Sequence, residues 1–291
     1  MRVVIVDPRG ETRPYDDALA AALAARGHIV ALWTSAPRVA QPPAPTGVHV
    51  RHAFYRVADR LPDALRRAAR GIEHPLDLLA LAPHLIRHRP DAVHVQWLRR
   101  AARNARAFRR VIVHSEHGRD ALVGQLGADP DRVHVIPHGA LTAYREVAPV
   151  APDVPAGPLV ALLGLLRPYK GLDVLLDAWP AVRAAVPDAH LLVAGRVLGD
   201  DASAARARSM EGVTADLRFT PTAEFVGAML RADVVALPYR RIDQSGVLFA
   251  ALALGRPIVA SRVGGFAEVV EQTGAGVCVP PGDPAALAEA L

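Results

Sequence analysis

Short β-branched apolar runs alternate with longer Ala/Leu-rich segments of helical period along the whole chain, and this rhythm constrains the fold most. Val3–Val6, Ile29–Trp33, Val48–Ala53, Ala92–Trp97, Val111–His114 and Val133–Ile136 read as strands, and Asp16–Arg26 reads as a helix closed by Gly27. Strands this continuously apolar must be shielded on both faces, which a parallel sheet covered by helices achieves. The stretch 145–158 (REVAPVAPDVPAGP) is Pro-rich, has neither period and reads as a linker. The rhythm then restarts with strands at Leu159–Leu163, Ala189–Ala194, Val234–Leu237, Pro257–Ser261 and Gly276–Val279, and helices at Gly171–Val186 and Ser245–Leu254. The expectation is α/β architecture: a domain over 1–144, a linker over 145–158 and a second domain over 159–291. In such sheets ligands bind beyond the carboxyl ends of the strands, so the chemistry is sought in the loops that follow them.

Composition narrows the classes. The 291 residues carry a formal net charge of +5, and the excess is Arg scattered among Ala-rich segments with one cluster at Leu98–Arg110. That pattern predicts no nucleic-acid partner and suits anionic lipids or phosphates better, so peripheral contact with an anionic membrane stays open. The single cysteine, Cys278, excludes a disulfide framework and a Cys-based zinc site. No apolar run reaches about 18 residues and the chain opens on a strand, so the expected setting is cytoplasmic.

Three post-strand loops stand out. Gly164-Leu165-Leu166-Arg167-Pro168-Tyr169-Lys170-Gly171 sets two cations three residues apart where a loop enters a helix. A helix N-terminus favours an anion there; Arg adds bidentate geometry and Lys a point charge. Asp243-Gln244-Ser245-Gly246-Val247 supplies donors and acceptors before the next helix, in a pattern equally suited to an N-cap and to a ligand site. Val263-Gly264-Gly265-Phe266-Ala267-Glu268 adds a glycine turn and a first-turn carboxylate. One cationic loop, one Gly/Ser loop and one Gly-Gly loop with Glu converge on a nucleoside diphosphate.

The run from Leu159 to Leu291, with LLGLLRPYKGLDVLLDAW, DAHLLVAG, ADVVALPY, QSGVLFAALALGRPIVASRVGGFAEVV and GVCVPPGDPAALAEAL, resembles the donor-binding domain of retaining glycosyltransferases of family 4. The resemblance implies the GT-B fold, two Rossmann-like parallel-sheet domains facing a cleft. It also implies that Arg167 and Lys170 bind the donor diphosphate as the catalytic pair. Gly164, Gly195, Asp243, Gln244, Ser245, Gly246 and Val247 would line the donor site. The family's usual Glu-x7-Glu is absent, because its positions hold Ile242 and Ala250, so the chain resembles a Gln-Ser-Gly-Val branch in which Glu268 is the candidate for the ribose.

The first half matches more loosely, through DPRGETRPYDDALAAALAARGHIVALWTS, VIVHSEHGRDALV and RVHVIPHGA. The resemblance makes Arg13, Tyr15, Asp16, His138 and Gly139 acceptor-side candidates, while His94, His114 and His117 read as packing residues. Relatives carry a further strand where this chain has 98–110, and helices beyond the position of Leu291; the expectation is a compact variant or an incomplete product. The implied activity is transfer of a sugar from a nucleoside diphosphate sugar to a hydroxyl of a glycan, lipid-linked or small-molecule acceptor, with retention and without metal or other cofactor. The rival readings are a nucleotide-sugar-binding GT-B protein without catalysis, and a GT-B epimerase or phosphorylase.

Overall fold

A computed structural model describes residues 1–10, 13–37, 44–96 and 110–291. Apart from Arg110, the Arg-rich segment at 98–110 lies outside the described residues, as does Trp97. The chain packs as two compact units, Met1–Asn104 and Ala105–Leu291.

In the first unit, β1 (Arg2–Asp7), β2 (Ile29–Ser35), β3 (Val48–Phe54) and β4 (Ala92–Val95) form a parallel sheet in the order β3-β2-β1-β4. β1 is central and buried from Val3 to Asp7, which accounts for its unbroken apolar run. Helix α1 (Arg13–Ala25) covers one face through Ala20, Leu19 and Leu23. Helix α2 (Asp63–His88) packs on β3 and has no counterpart in the sequence reading. Pro75 and Pro83 lie inside it, and proline ordinarily ends a helix.

In the second unit, β5 (Val111–Val113) and β6 (Val133–Val135) pair parallel to each other, with α3 (Glu116–Asp120) between them in sequence. The larger sheet is parallel throughout: β7 (Leu159–Leu163), β8 (His190–Ala194), β9 (Val213–Asp216), β10 (Val234–Leu237), β11 (Ile258–Ser261) and β12 (Gly276–Val279) take the order β12-β11-β10-β7-β8-β9. All five residues of β7 are buried, as a strand sandwiched between helix layers requires. Helices α4 (Leu172–Ala185), α5 (Asp201–Ser209), α6 (Thr222–Arg231), α7 (Gly246–Ala253), α8 (Phe266–Thr273) and α9 (Pro284–Ala290) connect or follow its strands. The core gathers on Trp179, Leu172, Leu175 and Leu191. Residues 147–158 hold no helix or strand and are pinned to α6. The N–H of Val150 donates to the carbonyl of Ala223 at 3.0 Å, and Arg231 donates to the carbonyl of Gly157 at 2.7 Å.

The strand order runs outward from β7 in both directions, through β8 and β9 on one side and β10 to β12 on the other. The switch point therefore lies between the carboxyl ends of β7 and β10, where open α/β sheets hold ligands.

Candidate functional site

Four loops meet at that switch point, and glycines let them interlock. Gly195, after β8, lies so close to the loop after β7 that a Cβ would stand 1.9 Å from the carbonyl oxygen of Gly164. At Gly171 (φ +69°) a Cβ would stand 1.9 Å from the carbonyl oxygen of Pro238, and at Gly264 (φ +53°) 1.7 Å from that of Ile242. No side chain fits at these approaches, so the glycines fix the mutual placement of the loops. Polar bonds complete the frame: Arg240 donates its N–H to the carbonyl of Tyr169 at 2.7 Å, and its guanidinium pairs with Asp173.

Lys170 is held inside this frame. It ends a single 3-10 turn, Pro168–Lys170, so the α-helix starts at Leu172, one residue later than the sequence pattern suggested. The residue is 6% exposed. Its Nζ donates to the carbonyl of Leu163 at 3.2 Å and lies 5.1 Å from the centre of the Tyr239 ring. Among the described residues no carboxylate pairs with it. A buried lysine with no counter-ion is costly, so a position like this calls for an anion. Arg167, three residues earlier, is exposed and directed by extended backbone (φ −125°, ψ 154°). Gly164 faces both Lys170 and Val247: a Cβ there would stand 3.2 Å from Lys170 Nζ and 3.3 Å from the Val247 side chain.

The sequence left capping and ligand binding level at Asp243–Val247, and the geometry separates them. Ser245 occupies the N-cap position of α7, yet its side chain makes no capping bond; its Oγ lies 3.4 Å from the Tyr239 hydroxyl. The first turn of α7 thus keeps its N–H groups uncapped by side chains, and Gly246 is exposed. Gln244 donates from Nε2 to the carbonyl of His114 at 3.3 Å, while its Oε1 is buried without a partner. Asp243 is exposed, and its carbonyl accepts from Gly265 N–H at 3.2 Å.

Glu268 is engaged differently from the ribose contact expected of it. Its two carboxylate oxygens accept from the backbone N–H groups of Glu116 (2.9 Å) and His117 (2.8 Å), the first residues of α3. His138 stacks on Phe249 with centroids 3.9 Å apart and planes at 15°, while its Nδ1 lies 2.7 Å from the carbonyl oxygen of Gly139, itself exposed. Burial against that ring pushes the His138 pKa down to about 4, with His114 adding repulsion and the Gly139 contact opposing. His138 and Phe249 line a groove of about 450 Å³ together with Leu252, Val269 and Thr273.

The remaining candidates cluster in the first unit. Arg13 is 6% exposed and its guanidinium is already committed to Asp17, with contacts of 2.9–3.3 Å. Asp16 is fully buried against Asp7 at the end of β1. Its pKa is pushed up to about 9, first by desolvation and then by the charge of the neighbouring Asp7 carboxylate. Tyr15 also has its pKa raised by burial and by Asp16, against a hydrogen bond with Gln96. Asp7 and Gln96 belong to this cluster and were missed in the sequence; Asp7 ends β1 and Gln96 follows β4, which was the available signal, and buried Thr34 lies beside Asp7 on β2. Among the described residues no group of three or more His, Cys, Asp or Glu side chains is placed to hold a metal ion, and no helix is long and apolar enough to cross a membrane.

Comparison with known proteins bears on the second unit most directly. Residues 157–291 match the family model described as glycosyl transferases group 1. The chain is 33% identical over 183 residues to a D-inositol 3-phosphate glycosyltransferase of Jonesia denitrificans, covering 56% of this chain and 43% of that protein. It is 38% identical over 163 residues to a phosphatidyl-myo-inositol mannosyltransferase of Mycobacterium leprae, covering 54% and 42% respectively. The matches thus span less than half the length of these relatives. The fold is similar over 100% of the chain to a sucrose-phosphate synthase from Thermosynechococcus elongatus, at 18% identity, a TM-score of 0.72 and 88% of that chain. The architecture is therefore that of GT-B proteins, with two Rossmann-like units, and over 157–291 the chain is similar in sequence to the group 1 glycosyl transferases.

Proposed function

We propose that the chain is a retaining glycosyltransferase that moves a sugar from a nucleoside diphosphate sugar to an acceptor hydroxyl. The observation that carries this reading is Lys170, buried at the sheet's switch point with no carboxylate partner among the described residues, beside the uncapped N-terminus of α7. Arg167 and Lys170 take the diphosphate. Gly164 and Gly195 leave room for it, and the Ser245–Val247 amides with Asp243 and Gln244 hold phosphate and sugar. Glu268 reaches the ribose through lone pairs that its two backbone bonds leave open, since a carboxylate offers about four acceptor sites. The organisation into acceptor-side residues 1–144, linker 145–158 and donor-side residues 159–291 belongs to the same reading, with Arg13, Tyr15, Asp16, His138 and Gly139 on the acceptor side.

In the transfer the bond from the anomeric carbon to the β-phosphate oxygen breaks, and its electron pair stays on the phosphate. The acceptor oxygen bonds to the anomeric carbon on the same face, and its proton passes to the departing phosphate oxygen. Charge develops on the diphosphate, so fixed cations and helix N–H groups are the effective catalysts there and no metal is required. Activity at the inner membrane face follows only if the acceptor is lipid-linked.

A screen of nucleoside diphosphate sugars against hydroxyl acceptors, read by mass and by anomeric configuration of the product, tests the reading. Lys170→Ala should lose about 100-fold or more in turnover while folding normally, the scale of removing one charge-stabilising donor. A near-wild-type rate removes Lys170 from the mechanism. The specific alternative is nucleotide-sugar binding without transfer, favoured by the buried Ala250 where the family carries a glutamate. It predicts binding with no product for any acceptor.

A further inference from the structure

Of the 34 Lys and Arg residues in the chain, Lys170 alone is lysine, and the tyrosine that follows β10, Tyr239, lies against it. Tyr239 is 1% exposed. Three of the site's loops meet on its side chain. The Lys170 ammonium lies 5.1 Å from the ring centre, and the Tyr169 ring meets it edge-on at 6.0 Å. Phe266, the first residue of α8, packs at 5.3 Å, and the phenol oxygen lies 3.4 Å from Ser245 Oγ. One buried side chain therefore joins the cationic turn, the Gly/Ser loop and the Gly-Gly loop.

Ser245 shows what the phenol does. Its backbone has the extended conformation of an N-cap (φ −134°, ψ 124°), and serine is among the preferred capping residues. A capping serine turns its oxygen onto the N–H of the second or third helical residue, here Val247 or Leu248. Ser245 instead turns Oγ onto Tyr239, and among the described residues neither hydroxyl has another hydrogen-bond partner. The first-turn N–H groups of α7 stay open to an anion as a result. The ring does the matching service for Lys170. An ammonium over an aromatic face is held without its charge being neutralised, unlike one paired with a carboxylate. Of its three donors, one goes to the Leu163 carbonyl at 3.2 Å. A Cβ at Gly164 would stand 3.2 Å from Nζ and 3.3 Å from the Val247 side chain, so ammonium and helix start flank the same glycine.

We infer that Tyr239 is a positioning residue that prepares both halves of the anion site: its ring holds the Lys170 ammonium, and its hydroxyl keeps Ser245 from capping α7. The inference rests on the proposed sugar transfer only for the identity of the anion, a nucleoside diphosphate; the two contacts belong to the free chain. A purely structural role, filling space beneath the loops, would be served equally by phenylalanine. Positioning makes a different demand. Losing the hydroxyl frees Ser245 to cap the helix, so the site should lose anion affinity while the fold keeps or gains stability. Where position 245 has no oxygen to cap with, losing the hydroxyl should cost nothing.

Calorimetric titration with inorganic pyrophosphate and with UDP, GDP, ADP and TDP reads the affinity. Tyr239→Phe should weaken binding about 3–10-fold with no fall in Tm, the reach of one helix cap. In a Ser245→Ala background the same substitution should change affinity by less than about twofold. Two readouts need no ligand. Exchange of the Val247 and Leu248 amides should slow in Tyr239→Phe, where Ser245 caps them. Isotope-labelled lysine gives a single ε-methylene signal, from Lys170. The ring current should displace that signal upfield in wild type and in Tyr239→Phe, and not in Tyr239→Leu. Equal amide exchange in wild type and Tyr239→Phe, an undisplaced wild-type lysine signal, or equal losses of affinity in both backgrounds would each overturn the inference. If no probe binds the wild type while both ligand-free signatures appear, the transfer reading fails and the positioning stands.

Discussion

Glu268 gives both carboxylate oxygens to the backbone of one short helix, accepting from Glu116 N–H at 2.9 Å and from His117 N–H at 2.8 Å. The two partners lie more than 150 residues away in sequence, so the bond pair fastens the β5–α3–β6 segment to the first turn of α8. A carboxylate at a helix N-terminus also meets the positive end of the helix dipole. The same loops are held by Gln244, whose amide donates to the carbonyl of His114.

Glu268→Ala should therefore loosen α3. Hydrogen bonds to charged groups contribute roughly 1.5–3 kcal/mol, and a half-exposed pair falls at the lower end, about 2 kcal/mol. That corresponds to a fall of about 4–8 °C in Tm for a unit of this size. Hydrogen exchange at 116–118 should accelerate at the same time. Unchanged protection at those amides would show that the segment is held by other contacts.

Asp16 makes stability depend on pH in an unusual direction. Its pKa in the folded chain is raised, chiefly by burial and then by Asp7, far above the value near 3.8 of a free side chain. A carboxyl raised in this way contributes stability that is complete below pH 3.8 and is lost as pH rises through about 9. Across that window each pH unit costs about 1.4 kcal/mol. Asp16→Asn keeps the shape and removes the titration. It should melt higher than wild type at pH 8, with a flatter Tm profile from pH 5 to 9. Identical profiles would contradict the buried pairing.

His138 acts in the opposite sense. Its folded pKa is pushed down to about 4 by burial on Phe249, so the neutral ring is favoured in the folded chain. Its contribution is present above about pH 6.5 and is lost as pH falls through 4. Solvent reaches part of the ring, so the loss is on the order of 1–2 kcal/mol. His138→Phe preserves the stack and should abolish that part of the acid destabilisation between pH 6.5 and 4. An unaltered acid limb in the variant would place the titrating group elsewhere.

The second unit was the more legible half because its signals are local. A fully buried strand such as Leu159–Leu163 must be written as an unbroken apolar run, and glycines at 164, 171 and 264 mark where backbones nearly touch. The partners of those glycines, Pro238 and Ile242, were not legible, because only folding brings them near. Glu268 was picked out as a carboxylate at a helix start, but its destination 152 residues away could not be read from spacing. Helix α2 escaped detection because Pro75 and Pro83 interrupt it and its polar residues face inward, which inverts the usual amphipathic pattern. Arg13 looked available for a ligand, yet Asp17, one turn along the same helix, already takes its guanidinium.

The central claim is that Lys170 waits for a diphosphate. Calorimetric titration of the chain with UDP, GDP, ADP and TDP, with and without magnesium, tests it most directly. The account predicts that one of the four binds, that magnesium makes no difference, and that Lys170→Ala binds about 10–100-fold more weakly, as loss of a charged hydrogen bond implies. Equal affinity in Lys170→Ala, or no binding by any of the four to a chain that melts cooperatively, would contradict it.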